Sequence, residues 1–210
     1  MEDIRPSQDS PAFDFDSGAL CLDFANTTPE RPRCANDKLT GYEQLVSWGL
    51  QSGTLAGDEA ERLVHAARRG PTAATRAFRS ALALREAVYH IFSAHAAGVD
   101  LPDDDLNLLN QAVGDAMCHL RVGGDATGFH WRWSNDRDSL ERVVWPVARS
   151  AGDLLVSEDL QWVRECASST CSWLFLDTSR SRRRKWCDMS TCGNREKARR
   201  HYRRARAAAD

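Results

Sequence analysis

Four cysteines near one end of this 210-residue chain constrain it more than any other feature. They fall as two pairs, Cys166-x4-Cys171 and Cys187-x4-Cys192, with residues 172–186 between them. Two tight turns, each carrying two thiols, can converge on one ion, and four thiolates make a closed, structural shell. Zinc suits such a set, and an iron–sulfur cluster also takes four thiolates. A disulfide framework is the poorer reading. Seven cysteines is an odd number, and the opening Met-Glu-Asp-Ile-Arg-Pro is not an export signal. Cys21, Cys34 and Cys118 have no paired spacing and read as small apolar residues.

Charge is divided as unevenly as the cysteines. The net charge is -2, yet residues 166–210 hold twelve Lys and Arg against four acids, and the remainder is acidic. An acidic body with a basic end suggests that the basic part meets an anion, most often nucleic acid; neutralisation by the body itself is the plainer alternative. Arg195, Arg199, Arg203 and Arg206 recur at helical spacing along one stripe, with Lys197, Arg200 and Arg204 on neighbouring faces. A helix this basic has no apolar face near its end, so its last turns must be solvated or bound. The candidate phosphate contacts are Arg182, Arg183, Arg184, Lys185, Arg195, Lys197, Arg199, Arg200 and Arg203. Part of this charge, at Arg199, Arg200 and Arg203, can instead offset the negative charge of a zinc tetrathiolate.

Upstream the pattern is mainly helical. Residues 1–18 read as a loose lead-in, 19–157 as a mainly α-helical domain with a short β element, and 158–210 as a zinc-finger unit ending in a basic helix. Leu20–Thr27 is short and apolar, a strand or a buried helix. Helices are expected over 42–50, over Glu59–Arg69 capped by Asp58, and over Thr72–Ala97 after Pro71. Another starts at Pro102, with Leu106, Leu109, Val113 and Met117 inward. Gly123-Gly124-Asp125 reads as a break before a strand at Phe129–Ser134. Asp138-Ser139 then caps Leu140–Val156, where Pro146 shifts the start or kinks the helix. No linker precedes Cys166, so the metal segment is expected to dock on the body.

Phe92, Trp131 and Trp133 form a candidate ligand pocket for a small-molecule effector; packing of one strand face is the simpler account of the tryptophans. The six histidines are dispersed, and there is no P-loop, His-Glu-x-x-His or Gly-x-Ser-x-Gly, so no enzyme is expected. No run of about 18 apolar residues occurs, which argues against a membrane span and for a cytoplasmic protein.

The stretch Cys187-Asp188-Met189-Ser190-Thr191-Cys192-Gly193-Asn194-Arg195 resembles the CGNR zinc-finger family. The likeness runs upstream through Trp186, Arg183-Arg184-Lys185 and Cys171-Ser172-Trp173-Leu174-Phe175-Leu176-Asp177 to Cys166, and downstream to Arg199. Lys185 stands where arginine would be expected. Leu22-Asp23-Phe24-Ala25-Asn26-Thr27, with Trp48 later, is similar to the helical ABATE-type domain that accompanies this finger. The resemblance implies a bacterial stress-response or transcriptional regulator. One zinc would be held by Cys166, Cys171, Cys187 and Cys192, and nucleic acid, DNA first, would meet the basic residues. A treble-clef-like arrangement follows physically. Ser172–Leu176 is a strand, Arg182–Trp186 returns as its partner, and a helix runs from about Gly193. A single finger covers few base pairs, so a homodimer would be expected for specificity, although no heptad run supports one. The alternatives are a zinc-stabilised protein-interaction module and a small-molecule-binding protein without DNA binding.

Overall fold

Runs of Ala, Leu and Arg broken by Gly and Pro lay down most of the body as helices. The computed structural model describes residues 11–28, 31, 36–134 and 139–207. Cys34, the Asp138 cap, residues 1–10 of the lead-in and most of the 29–37 loop lie outside them. The helices are α1 (Leu20–Ala25), α2 (Tyr42–Gln51), α3 (Gly57–Arg69), α4 (Pro71–Ala97) and α5 (Asp103–Cys118). A hairpin of β1 (Leu120–Asp125) and β2 (Gly128–Trp133) precedes α6 (Trp145–Leu155). Two short strands, β3 (Val163–Glu165) and β4 (Leu174–Leu176), and the basic helix α7 (Asn194–Ala207) follow.

The ambiguous apolar segment is a helix. Cys21, Leu22, Phe24 and Ala25 of α1 are fully buried against α4 and α6. The centre is α4, which starts at Pro71, where no backbone N–H is needed, and stops at Gly98 in the left-handed conformation (φ 67°). It buries Ala77, Ala81, Leu84, Val88, Ile91 and Phe92. No helix among the described residues is long and apolar enough to cross a membrane.

Several local expectations are corrected. Residues 11–18 are not loose. Phe13 N–H donates to Gln51 (3.2 Å), Lys38 Nζ to Ala12 O (2.9 Å), and Phe15 packs beside Trp48. Asp58 does not cap α3; it lies in the first turn and pairs with Arg62 at 2.5 Å, while Ala56 holds the cap position. Gly123-Gly124-Asp125 is not a break but strand, because the hairpin turns one step later, where Asp125 faces Gly128. Met117 is exposed and Ala116 takes the inward position on α5. Pro146 resets the helix start, so that Leu140–Val143 is a separate tight turn before α6.

A buried charge network fastens the segment after α1 to α4. Arg85, 3% exposed, donates to both oxygens of Asp37 (2.8 and 2.7 Å) and through Nε to Glu86 (2.8 Å). Arg31 takes the other Glu86 oxygen at 2.9 Å and lies over the Tyr89 ring, 4.0 Å from its centre. Bidentate pairing of this kind offsets the cost of burying charge only because nearly every donor is used.

The cysteine segment docks on the body, as expected. β3 and β4 pair antiparallel, Val163 with Leu176 and Glu165 with Leu174, and their Val163, Leu174 and Leu176 side chains join the helical core. Asn26 completes the outer edge of β4. Its amide donates to Leu174 O (2.8 Å) and accepts from Leu174 N (2.9 Å), standing in for a strand. Ser17 O accepts from Leu176 N at 2.7 Å. Glu165 accepts from Tyr89 (3.2 Å) and Ser93 (2.5 Å) of α4.

Asp23 makes this junction pH-sensitive. Burial pushes its carboxyl up to about 6; the Ser17 hydrogen bonds oppose the shift, and Asp16 and Asp14 add to it. A carboxyl raised above its unfolded value favours the protonated fold, so the contribution is full below about pH 4 and is lost as pH rises through about 6. The difference is worth about 3 kcal/mol at neutral pH. Asp23→Asn is expected to gain about 1–3 kcal/mol over the parent at pH 7 and nothing at pH 4, read from urea unfolding across that range.

Candidate metal centre

The first cysteine pair straddles a tight turn at the end of β3. Cys166 N–H donates to Trp173 O (2.8 Å) and Cys171 N–H to Ser168 O (3.1 Å), so residues 166–173 close a knuckle. Ala167 N–H reaches Lys185 O at 2.8 Å, which draws the chain before Cys187 alongside. The return strand expected over Arg182–Trp186 is absent; β4 pairs upstream with β3 instead. The cause is Asp177, fully buried, which accepts from Ser179 N (3.0 Å), Ser179 Oγ (2.6 Å) and Arg184 N (2.8 Å). Those bonds take a backbone donor that a ladder would need, and Arg182 turns left-handed (φ 50°). Burial works to raise the Asp177 carboxyl, but the hydrogen bonds from Ser179 and Arg184 outweigh it and hold it low.

The second pair is built on an aspartate. Asp188 accepts from Ser190 N (3.2 Å), Thr191 N (2.8 Å) and both hydroxyls (2.5 and 2.8 Å), which hold its carboxyl far below the usual range. One wide turn, Met189–Gly193, then places Cys192 at the foot of α7. Gly193 has no side chain where the Met189 sulfur sits.

The four sulfurs lie within 4.8 Å of one another. Cys171 to Cys187 is 3.8 Å and Cys187 to Cys192 is 3.7 Å. A tetrahedron with Zn–S bonds of about 2.3 Å has edges of about 3.8 Å. Disulfide sulfurs would be about 2.0 Å apart. A cluster of several irons puts metal and sulfide between its thiolates and spreads them wider, so the iron–sulfur alternative fits less well than one ion. Cys166, Cys171, Cys187 and Cys192 thus form a tetrahedral zinc-binding site. Without a cation the sulfurs compete for charge. Cys166 is held well below an ordinary thiol by donation from Cys171 and Cys187; Cys171 is pushed up by its bond to Cys166, against the opposing bond from Cys187, and Cys187 is pushed up by its bonds to Cys166 and Cys171. A dication lets all four ionise together.

The basic residues divide into two sets. Arg195 donates to Thr170 Oγ1 (2.8 Å) and approaches the Cys192 sulfur (3.9 Å). Arg199 reaches Ser169 and Glu196 (3.1 Å), and Glu196 accepts from Ser168 (3.2 Å), so the first turns of α7 clamp the first knuckle. Arg182 donates to Asp177 O and covers Trp162; Arg184 donates to Cys187 O and covers Phe175. Arg183, Lys185, Lys197, Arg200 and Arg203 are exposed. Arg183, Arg184, Lys185 and Arg200 line one cleft of about 730 Å³ between the loop and α7, with Trp186 at its side.

The three aromatic pocket candidates are not brought together. Phe92 is fully buried in the helical core, Trp131 is 58% exposed on the hairpin, and Trp133 packs beside Trp145. Asp188 and Glu196 were missed as supports of the site; Asp188, two and three residues before donors at Ser190 and Thr191, carried a readable capping signal.

Residues 18–158 match the ABATE family, described as "Putative stress-induced transcription regulator", and residues 163–205 match the CGNR zinc finger. Neither description names a catalytic activity. No curated protein matches the chain. Because Arg195 ties a ligand cysteine to the opposite knuckle, Arg195→Ala should weaken zinc binding by about 10- to 100-fold in competition with a chromophoric chelator, with one zinc still bound at saturation.

Proposed function

Because the chain belongs to the ABATE family of regulators and carries a CGNR finger, we propose that it binds nucleic acid, DNA first, through the outward basic surface of that finger. The observation that carries this reading is the shared cleft. The loop residues Arg183 and Lys185 and the helix residue Arg200, seventeen or fewer positions apart, line one cleft of about 730 Å³. Lys197 and Arg203 extend the same charge along α7. Arg195 and Arg199 act mainly on the zinc site, and Arg182 and Arg184 on the fold of the loop. The helical domain would hold a small-molecule effector, and pairing of two chains would supply a second half-site in the nucleic acid.

A second reading has its own support. Val122, Trp131 and Phe129 share one face of the hairpin, and Phe129 is 90% exposed. Such a strip suits a protein partner or a second copy, and would make the chain a zinc-stabilised interaction module.

The two readings separate in one titration. The double variant Arg183→Glu, Arg200→Glu should bind a mixed-sequence duplex more weakly, and its log–log salt slope should flatten by about two. Zinc content should stay unchanged. Equal affinity and slope in variant and parent, measured by fluorescence anisotropy, would remove the nucleic-acid reading and leave the interaction module.

A further inference from the structure

We propose that the helical domain contains a site for a small dianionic oxyanion, carrying phosphate or two carboxylates, in the cleft between α3 and the β1–β2 hairpin. The proposal rests on reading that domain as the effector-binding part and supplies the effector's chemistry. It is independent of whether the finger meets nucleic acid.

The cleft is about 460 Å³ and is lined by Arg62, Arg121, Arg132 and Arg142 against Asp58 and Glu59. Two of the arginines are matched. Arg62 pairs with Asp58 at 2.5 Å, and Arg142 Nε lies 3.0 Å from Glu59. The other two are not. Arg121 and Arg132 are direct cross-strand partners in the hairpin, and among the described residues neither has an acidic partner. Like charges placed opposite each other on a ladder are destabilising. Arg121 is fixed in this position, donating to Cys118 O (2.7 Å) and Leu120 O (2.8 Å). The stem of Arg132 runs over Gly123, where a side chain would collide with it. The two side chains leave their paired positions in opposite directions along the hairpin, and both line the cleft.

Arg142 gives the second, independent observation. It is 7% exposed, and its Nη1 is buried with no hydrogen-bond partner. Its Nη2 donates to Thr54 O at 3.2 Å, and its guanidinium stands 5.7 Å from the Trp133 ring, so the group is held in place. A buried donor left unmade is costly, and arginine presents its donors in a planar fork that matches carboxylate and phosphate oxygens. An anion in the cleft would lie beside the Arg142 guanidinium and neutralise the Arg121–Arg132 pair. Two guanidiniums without an acidic partner among the described residues call for about two negative charges, the charge of a phosphate group at neutral pH. The Ser134 hydroxyl and the Trp133 ring close one side and leave room for the rest of a small molecule.

The test is calorimetric titration of the full-length, zinc-loaded protein with inorganic phosphate and with succinate at constant ionic strength, beside thermal melts. The expected result is one saturable site per chain and a raised melting temperature. Tighter phosphate binding assigns a phosphate-bearing ligand, and tighter succinate binding a dicarboxylate. Arg132→Gln should lower the affinity at least tenfold without lowering the melting temperature of the anion-free protein, since it removes one of two like charges lining the cleft. Arg142→Gln should abolish binding where it folds. Arg183→Gln with Arg200→Gln, at the distant basic cleft, should leave binding unchanged. No saturable binding of either anion would overturn the site. So would binding that survives Arg132→Gln, or binding lost instead in the finger variant.

Discussion

Four sulfurs within 4.8 Å of one another cannot all carry charge unless a cation sits among them. The arrangement of the last fifth of the chain depends on that ion. The finger has little apolar core of its own, because Val163, Leu174 and Leu176 belong to the core of the helical body. Among its described side chains α7 buries none, and what orients it is the sulfur of Cys192 at its foot and the contacts of Arg195, Glu196 and Arg199 with the first knuckle. Structural zinc sites in finger peptides contribute on the order of 10 kcal/mol or more. No other interaction in this segment is of that size.

The same contacts explain why so much arginine is needed. A tetrathiolate zinc retains negative charge, and guanidiniums at Arg195 and Arg184 lie against its knuckles without competing for the metal. A second layer of cations, Arg183, Lys185 and Arg200, faces outward. Bracing contacts and outward-facing charge are thus divided between neighbours in sequence, and one basic run supplies both. On the opposite side, Ser17 and Asn26 complete β4 from the body, and Glu165 is held by Tyr89 and Ser93 of α4. A change in the packing of α1 or α4 would therefore reach the strand that carries Cys166 through hydrogen bonds of ordinary length.

Much of this was legible in the residues. The metal ligands were readable because knuckle spacing is local, and the helices because Gly and Pro mark their ends and α4 keeps its period. The strand pairing within the finger was not. Choosing Val163–Glu165 over Arg182–Trp186 as the partner of Leu174–Leu176 turns on a single buried carboxylate, Asp177, taking the Arg184 N–H. Alternation put Trp131 and Trp133 on one face but could not say that the hairpin reaches past the body, which leaves Trp131 exposed while Phe92 is enclosed. The arginine cleft was invisible for the same reason, since Arg62, Arg121 and Arg142 come from separate elements. A stripe of arginines on a helix also looks the same whether it braces a knuckle or meets phosphate; only the partners Thr170, Ser169 and Glu196 separate the two.

The most direct measurement is native mass spectrometry of the purified chain joined to hydrogen exchange before and after chelation. One zinc per chain is predicted, with protection at residues 166–199 lost on its removal while α4 and α6 stay protected. A chain that carries no metal, or a finger that keeps its protection once zinc is gone, would contradict the dependence of this segment on the ion.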